Sequence, residues 1–526
     1  MRYFNFRAAG LSAALFGAAM FAPPALANEL RVVMESRLGN LDPIMSASHQ
    51  TRDHGYLIYD TLFGLDADQK VQPQMVDSYT VSDDGLVYTF TLRDGLAWTD
   101  GTPVTTEDVI ASIKRWGQRD RMGIALMSIT DSLEAKDAKT FVLTLTSPSG
   151  VVLEAFAKPS GVPLFIMPKE AAATPFTEQI TDYRGSGPFR FLPETYEPGV
   201  KSVYVKNEAY VPRSEPPSWF AGAKIAKVDR IERIEMPDPL TAVNALNSGE
   251  IDYLQTIPPD LLPLVQTDVI KTDKLDQLGY QISIRMNFLQ PPFDNKLVRQ
   301  AALAALGQEE IMQAQFGDPE SYQICGAAFG CGLPYESDVM AEEVVKPDPE
   351  KAKALLKEAG YNGEPVVIFH VSDISTMSAL APTIAQQLRE AGFNVELATT
   401  DFMTMLSRRA NQGPTSEGGW SIFVTSWHNT EIEDPLRNYM ITAEGREGYA
   451  GWADVPVIGE KIHDFLLASD YDARKKIADD IQGVVYDEVV FVPIGGFARV
   501  TGYSSKVEGV LPAPANIFWN ISKSEN

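Results

Sequence analysis

Between Trp427 and Pro435 the chain reads WHNTEIEDP, which gathers a large aromatic, an imidazole and three carboxylates into nine residues. Side chains of these types bind polar solutes. Trp427 offers a flat, amphipathic wall for stacking. His428 can be a ligand donor or a pH-sensitive contact. Glu431 and Glu433 can each take a ligand cation. The rival readings are a core aromatic at a strand end for Trp427 and a solvated acidic loop for Glu431 and Glu433. Trp427 precedes a polar loop instead of continuing an apolar run, which favours the binding role. A weaker candidate is Ser186, in a Gly185-Ser186-Gly187-Pro188 turn that can present backbone N–H groups. No Lys-Ser/Thr pair follows it, as a phosphate-binding P-loop would need.

The search for catalysis is mostly negative. There is no Gly-x-Ser-x-Gly elbow, no His-Glu-x-x-His and no Cys-x-x-Cys. His370, His428 and His463 have no metal spacing between them, and His49 and His54 read as surface or capping residues. With 70 acidic residues, carboxylate pairs arise by chance and carry no signal for glycosidase chemistry. The expectation is a protein that is not an enzyme, with no catalytic residue, no metal and no cofactor. Cys325 and Cys331 lie six apart in a Gly-rich loop. A disulfide is the favoured reading, free thiols the next, and a metal pair the weakest, because the nearest His in sequence is His370.

Composition narrows the partners. The chain has 526 residues and a formal net charge of −25. That surface disfavours nucleic acid and anionic membranes, and suits a soluble, diffusing protein. Residues 1–27 read as a targeting segment: Arg2 and Arg7, an apolar run from Ala8 to Phe21, then Ala25-Leu26-Ala27 for cleavage. No later stretch approaches the ~20 unbroken apolar residues of a membrane span. The protein is therefore expected in the periplasm, cleaved near Ala27, without stable membrane insertion and as a monomer.

Elements must position the candidate residues. Trp420 to Thr425 reads as a strand, which puts WHNTEIEDP at its carboxyl end, where open α/β sheets bind ligands. Upstream, Asp348-Pro349 opens a helix ended by Gly360, Val366 to Phe369 is a strand, Leu380 to Ala391 a helix, Asn394 to Leu397 a strand, and Asp401 caps another helix. This alternation predicts an α/β lobe. Earlier, Ile231 to Met236, Thr241 to Ser248 with Gly249, and Ile251 to Leu254 predict a strand, a helix and a strand of another. From Ser82 to Trp116 an Asp-Asp-Gly turn, an alternating strand from Val87 to Leu92, two Asp-Gly turns and a helix opened by Thr105-x-x-Asp108 follow in order.

This last stretch, SDDGLVYTFTLRDGLAWTDGTPVTTEDVIASIKRW, resembles the signature region of the periplasmic dipeptide- and oligopeptide-binding proteins, the large solute receptors of ABC importers. Leu41-Asp42-Pro43, Gly185 to Phe191, ALNSGEID and MNFLQPPFDNKLVRQAALAAL resemble further family motifs. The resemblance implies two α/β lobes joined by hinge strands, with an extra third lobe. It places lobe I at 28–45, 183–275 and 490–526, the extra lobe at 46–182 and the second α/β lobe at 276–489. The strand from Gln281 to Asn287 would cross between lobes, and Phe491 to Gly496 would return the chain to the first. Implied function is capture of a small polar solute, peptide or peptide-like, in the inter-lobe cleft and delivery to permease subunits and their ATPases. Peptide-binding relatives carry an Asp three residues after the Trp, on the ligand's α-amino group; here that position is Thr430, and Glu431 or Glu433 can take over. A non-peptide solute (sugar, opine or metal complex) bound in the same way is the alternative. A secreted hydrolase and a chaperone-like holder of unfolded chains are the rivals from other classes.

Overall fold

The computed structural model describes residues 28–524; the targeting segment lies outside the described residues. Two sheets carry the architecture. The first has seven strands in the order Ile270–Asp273, Thr501–Ser504, Tyr253–Leu254, Glu29–Val33, Arg230–Ile234, Lys201–Lys206, Phe189–Phe191. Its centre, Glu29–Val33, is parallel to both neighbours, and helix Pro239–Ser248 is the crossover between those neighbours. That helix starts on Asp238, whose carboxylate accepts from the Thr241 N–H, and stops at Gly249 with φ 75°, a left-handed conformation glycine adopts without strain.

The second sheet has six strands in the order Tyr322–Gln323, Val492–Phe497, Tyr280–Met286, Ile422–His428, Pro365–Val371, Asn394–Thr400. Helices Pro349–Ala359 and Leu380–Glu390 alternate with its strands as the sequence predicts. Two expectations need correction. Val492–Phe497 does not return the chain to the first lobe at 490. It is buried at every position and pairs with Tyr280–Met286 on one side and Tyr322–Gln323 on the other. Tyr280–Met286 is equally buried and lies wholly within this sheet, so it is not itself the crossing. The chain passes between sheets just before it, at 274–279, and again at 498–500. An apolar run suits the middle of either sheet, and only its long-range partners decide which.

A four-stranded antiparallel sheet, Val76–Val81, Val87–Leu92, Thr140–Leu145 and Thr130–Ala135 in spatial order 4-5-7-6 by chain position among the strands, forms the extra unit. Helix Thr106–Trp116 packs on it. The Asp108 carboxylate accepts from the Thr105 N–H at 2.8 Å, as the predicted cap requires. Val109, Ile113 and Trp116 are fully buried. Cys325 and Cys331 are disulfide-bonded with Cα atoms 5.8 Å apart. Gln281 reaches into the same loop, donating to the Ala327 carbonyl at 2.9 Å, so the loop is tied to the second sheet.

Candidate functional site

Trp427 and His428 are the last residues of strand Ile422–His428, opposite Gln281 and Tyr280. The strand therefore runs further than predicted, and a single turn, Asn429–Glu431, follows it. His428 shapes that turn. Its Nε2 lies 2.8 Å from Asp276 Oδ2, so the ring donates there, and Nδ1 accepts from the Thr430 hydroxyl at 2.7 Å and N–H at 3.1 Å. His428 and Thr430 are thereby buried, with their polar atoms taken up inside the turn that carries Glu431.

Glu431 reaches out of the second lobe. Its Oε2 accepts from the His428 N–H at 3.2 Å. Its Oε1 lies 3.1 Å from His49 Nε2 and accepts from the Ser160 hydroxyl at 3.2 Å. Arg52 donates to the same hydroxyl at 2.9 Å while pairing with Asp53 at 2.8 Å. His49 and Arg52 sit on helix His49–Ile58, so a carboxylate of one lobe is clasped by groups of the facing unit. Burial alone would raise this carboxyl, but the charge and hydrogen bond of His49, with His428 and Arg52 behind, hold it down to about 2.

A second bridge lies beside it. Arg437 takes the carboxylates of both Glu433 and Asp434, and Glu154 from the extra unit forms two 2.9 Å bonds with Arg474. Burial, with Asp434 and Glu154 close by, outweighs Arg437 and pushes Glu433 up to about 7. Near the other end Trp427 stacks on Tyr439, centroids 5.6 Å apart and planes 12° off parallel, with Tyr449 edge-on at 6.1 Å. Its indole N–H is buried and has no hydrogen-bond partner among the described residues. A small pocket adjoins at the crossing segments, lined by Arg52, Asp276, Tyr280 and Arg499. Arg499 ties the crossing to both lobes, pairing with Glu35 at 2.8 Å and donating to the Tyr280 hydroxyl at 2.7 Å.

Ser186 stands apart from this cluster. It is 3% exposed, and its hydroxyl accepts from the Asp60 N–H at 3.2 Å. A β-carbon at Gly185 would fall 1.8 Å from the Ile58 carbonyl oxygen, so the glycines let two backbones meet rather than opening a cleft. The histidine expectation also changes: His49 is half-buried in the bridge, and His54 is buried against Tyr204 at 2.8 Å. Among the described residues no helix is long and apolar enough to cross a membrane, and no group of three or more His, Cys, Asp or Glu could hold a metal ion.

Comparison with known proteins bears on this arrangement. The family model described as "Bacterial extracellular solute-binding proteins, family 5 Middle" matches residues 70–448. The chain belongs to this family of solute-binding proteins. Among its relatives is a probable peptide ABC transporter periplasmic-binding protein, y4tO, of Sinorhizobium fredii, 38% identical over 98% of each chain. The glutathione-binding protein GsiB of Pectobacterium atrosepticum is 26% identical over 97% of this chain and 96% of its own. A solved structure of DppA from Helicobacter pylori, in complex with the peptide STSA, superposes with a TM-score of 0.76 over 94% of this chain and 98% of its own, at 22% identity. The fold is thus that of two-lobed family 5 solute-binding proteins. In this family 5 protein the sequence points to Trp427, His428, Thr430, Glu431 and Glu433. It gives no signal for Ser160, which bonds Glu431 from far along the chain, for Arg52 behind Ser160, or for Arg121, which reaches the Asn438 carbonyl.

Proposed function

We propose that this protein is the periplasmic capture subunit of an ABC importer and takes a peptide or peptide-like solute between its facing lobes. The lobes are 28–45, 183–275 and 498–524 for the first, 46–182 for the extra lobe and 276–497 for the second. The observation that carries this reading is the Glu431 bridge: a buried carboxylate on one lobe whose partners, His49 and Ser160, belong to the other. A ligand ammonium can replace His49 there, charge for charge, in a water-poor site where such hydrogen bonds are strong. A solute held by both faces stabilises the closed arrangement, so binding shifts an open–closed equilibrium toward the form a permease reads. Trp427 is the proposed stacking wall, with His428 and Thr430 setting the turn that presents Glu431.

The test is a thermal-shift panel of di- to pentapeptides, amino-acid conjugates and sugars. A ligand at ~100 times its dissociation constant adds about 2.7 kcal/mol to the folded state. Peptides should shift the melt of the wild-type chain and do so much less in Glu431→Gln. A shift from a sugar or a metal complex with none from any peptide overturns the peptide assignment.

A further inference from the structure

Buried arginines in this chain are matched with carboxylates almost everywhere. Arg115 pairs with Asp42 at 2.7 Å, Arg52 with Asp53 at 2.8 Å, Arg474 with Glu154 at 2.9 Å and Arg499 with Glu35 at 2.8 Å. Around Trp427, Tyr439 and Tyr449 the buried Arg285 and the half-buried Arg119, Arg121 and Arg409 lack such a match. Arg119, Arg121, Arg285 and Arg409 gather there, and among the described residues every side-chain hydrogen bond they make goes to a neutral acceptor. Arg121 donates to the Asn438 carbonyl at 3.0 Å and the Thr442 hydroxyl at 2.8 Å. Arg119 donates to the Met45 carbonyl at 3.2 Å and Arg409 to the Tyr449 hydroxyl at 2.9 Å. Arg285 is fully buried and spends its guanidinium on backbone carbonyls of 440–450. Arg121 lies over the Tyr439 ring at 5.2 Å, and Arg409 and Arg285 lie over Tyr449 at 5.3 and 5.4 Å.

Acidic groups are near but engaged or turned outward. Asp120 is paired with Lys158 at 2.7 Å, Asp434 with Arg437 at 2.7 Å, and Glu444 is exposed. A protein of net charge −25 has carboxylates in plenty, so the lack of one here is informative. Desolvating a guanidinium without a counter-charge costs free energy, and a partner that arrives with the ligand recovers it. Arg285 is fully used as a brace for the 440–450 loop. Arg121 is different: it comes from the extra lobe, reaches the second lobe, and makes two of the five hydrogen bonds its donors allow. The unpartnered Trp427 indole N–H, one ring away through Tyr439, is a second donor waiting for an acceptor.

We propose that this aromatic, arginine-lined end of the cleft is an acid subsite, so that the preferred solute is a peptide carrying an acidic side chain whose carboxylate is anchored by Arg121, with Arg119 beside it. The inference rests on the capture function proposed above and adds the class of solute. Its test is calorimetric titration of the wild-type, Arg121→Gln and Arg121→Lys proteins with tripeptides bearing Glu, Gln or Lys at the centre, and with a non-peptide N-carboxyalkyl amino acid. The Glu peptide should bind the wild type at least about tenfold more tightly than the Gln peptide, the range of one hydrogen bond to a charged group. Arg121→Gln should bring that ratio close to one, with the Glu peptide losing much more affinity than the Gln peptide, and Arg121→Lys should restore part of it. A residue that merely held the lobes together would weaken all peptides alike. Equal affinity for the Glu and Gln peptides, or a Glu preference that survives Arg121→Gln, overturns the subsite. If no peptide binds but the carboxyalkyl conjugate does so through Arg121, the peptide reading falls and the subsite stands. If no acid-bearing probe binds through Arg121, the subsite falls.

Discussion

Glu433 and Glu431 lie two residues apart and respond to pH in opposite senses. Glu431 is held down to about 2, so its contribution to the folded state is present above its ordinary value near 4.5 and lost as pH falls toward 2. Glu433 is pushed up to about 7 from 4.5. Between those values the folded chain keeps a proton that the unfolded chain releases. Its contribution is therefore fully present below about 4.5 and lost as pH rises through about 7. Urea melts of the wild type and Glu433→Gln across this interval should show wild-type stability falling relative to the variant as pH rises. A constant difference between the two would mean that Glu433 keeps an ordinary carboxyl. The sequence made both acids visible as a short acidic run, and left open whether they were solvated. The setting of Glu431 depends on His49, 382 residues away, and on Ser160, 271 residues away, and no local pattern carries that information.

Among the elements, those fixed by neighbouring residues were the most legible. The Thr105–Asp108 cap, the Asp238 start and Gly249 stop of one helix, and the Asp348 start and Gly360 stop of another follow from hydrogen bonds and backbone conformations within a few positions. The cap of helix Thr106–Trp116 matters beyond itself, because Arg121 follows this helix and depends on its placement. Asp108→Ala should cost about 1 kcal/mol in a denaturant melt, the usual worth of a helix cap. It should also weaken the binding of acidic more than neutral peptides. Melts unchanged within about 0.3 kcal/mol would show that tertiary packing alone holds the helix. Val492–Phe497 was misassigned for the converse reason. Its apolar residues fit the interior of either sheet, and its partners, Tyr280–Met286 and Tyr322–Gln323, are about 170 or more positions earlier by chain count.

At the scale of the whole molecule, two sheets are joined by two short crossings, and polar side chains meet between the lobes. The crossings are braced by Arg499, which bonds Glu35 on one side and Tyr280 on the other, and by Asp276, which bonds His428. The contacts across the gap include a bridge at Glu431, another at Glu154 and Arg474, Arg121 on the 438–442 segment, and the Ser149 hydroxyl on the Leu466 carbonyl. Polar contacts of this kind can exchange partners with a solute, or with water once the lobes part. The two-lobed class was legible from the alternation of strands and helices together with the family-like stretches. The choice of which residues face each other across the gap was not, because it is set by how the lobes close.

If a solute entering at Glu431 draws the lobes together, small-angle X-ray scattering will register the closure. Scattering is recorded for the chain without residues 1–27, alone and saturated with the peptide that gives the largest thermal shift. The bound form should have a smaller radius of gyration, with little change for Glu431→Gln at the same peptide concentration. A tightly bound peptide that leaves the radius of gyration of the wild type unchanged would contradict it.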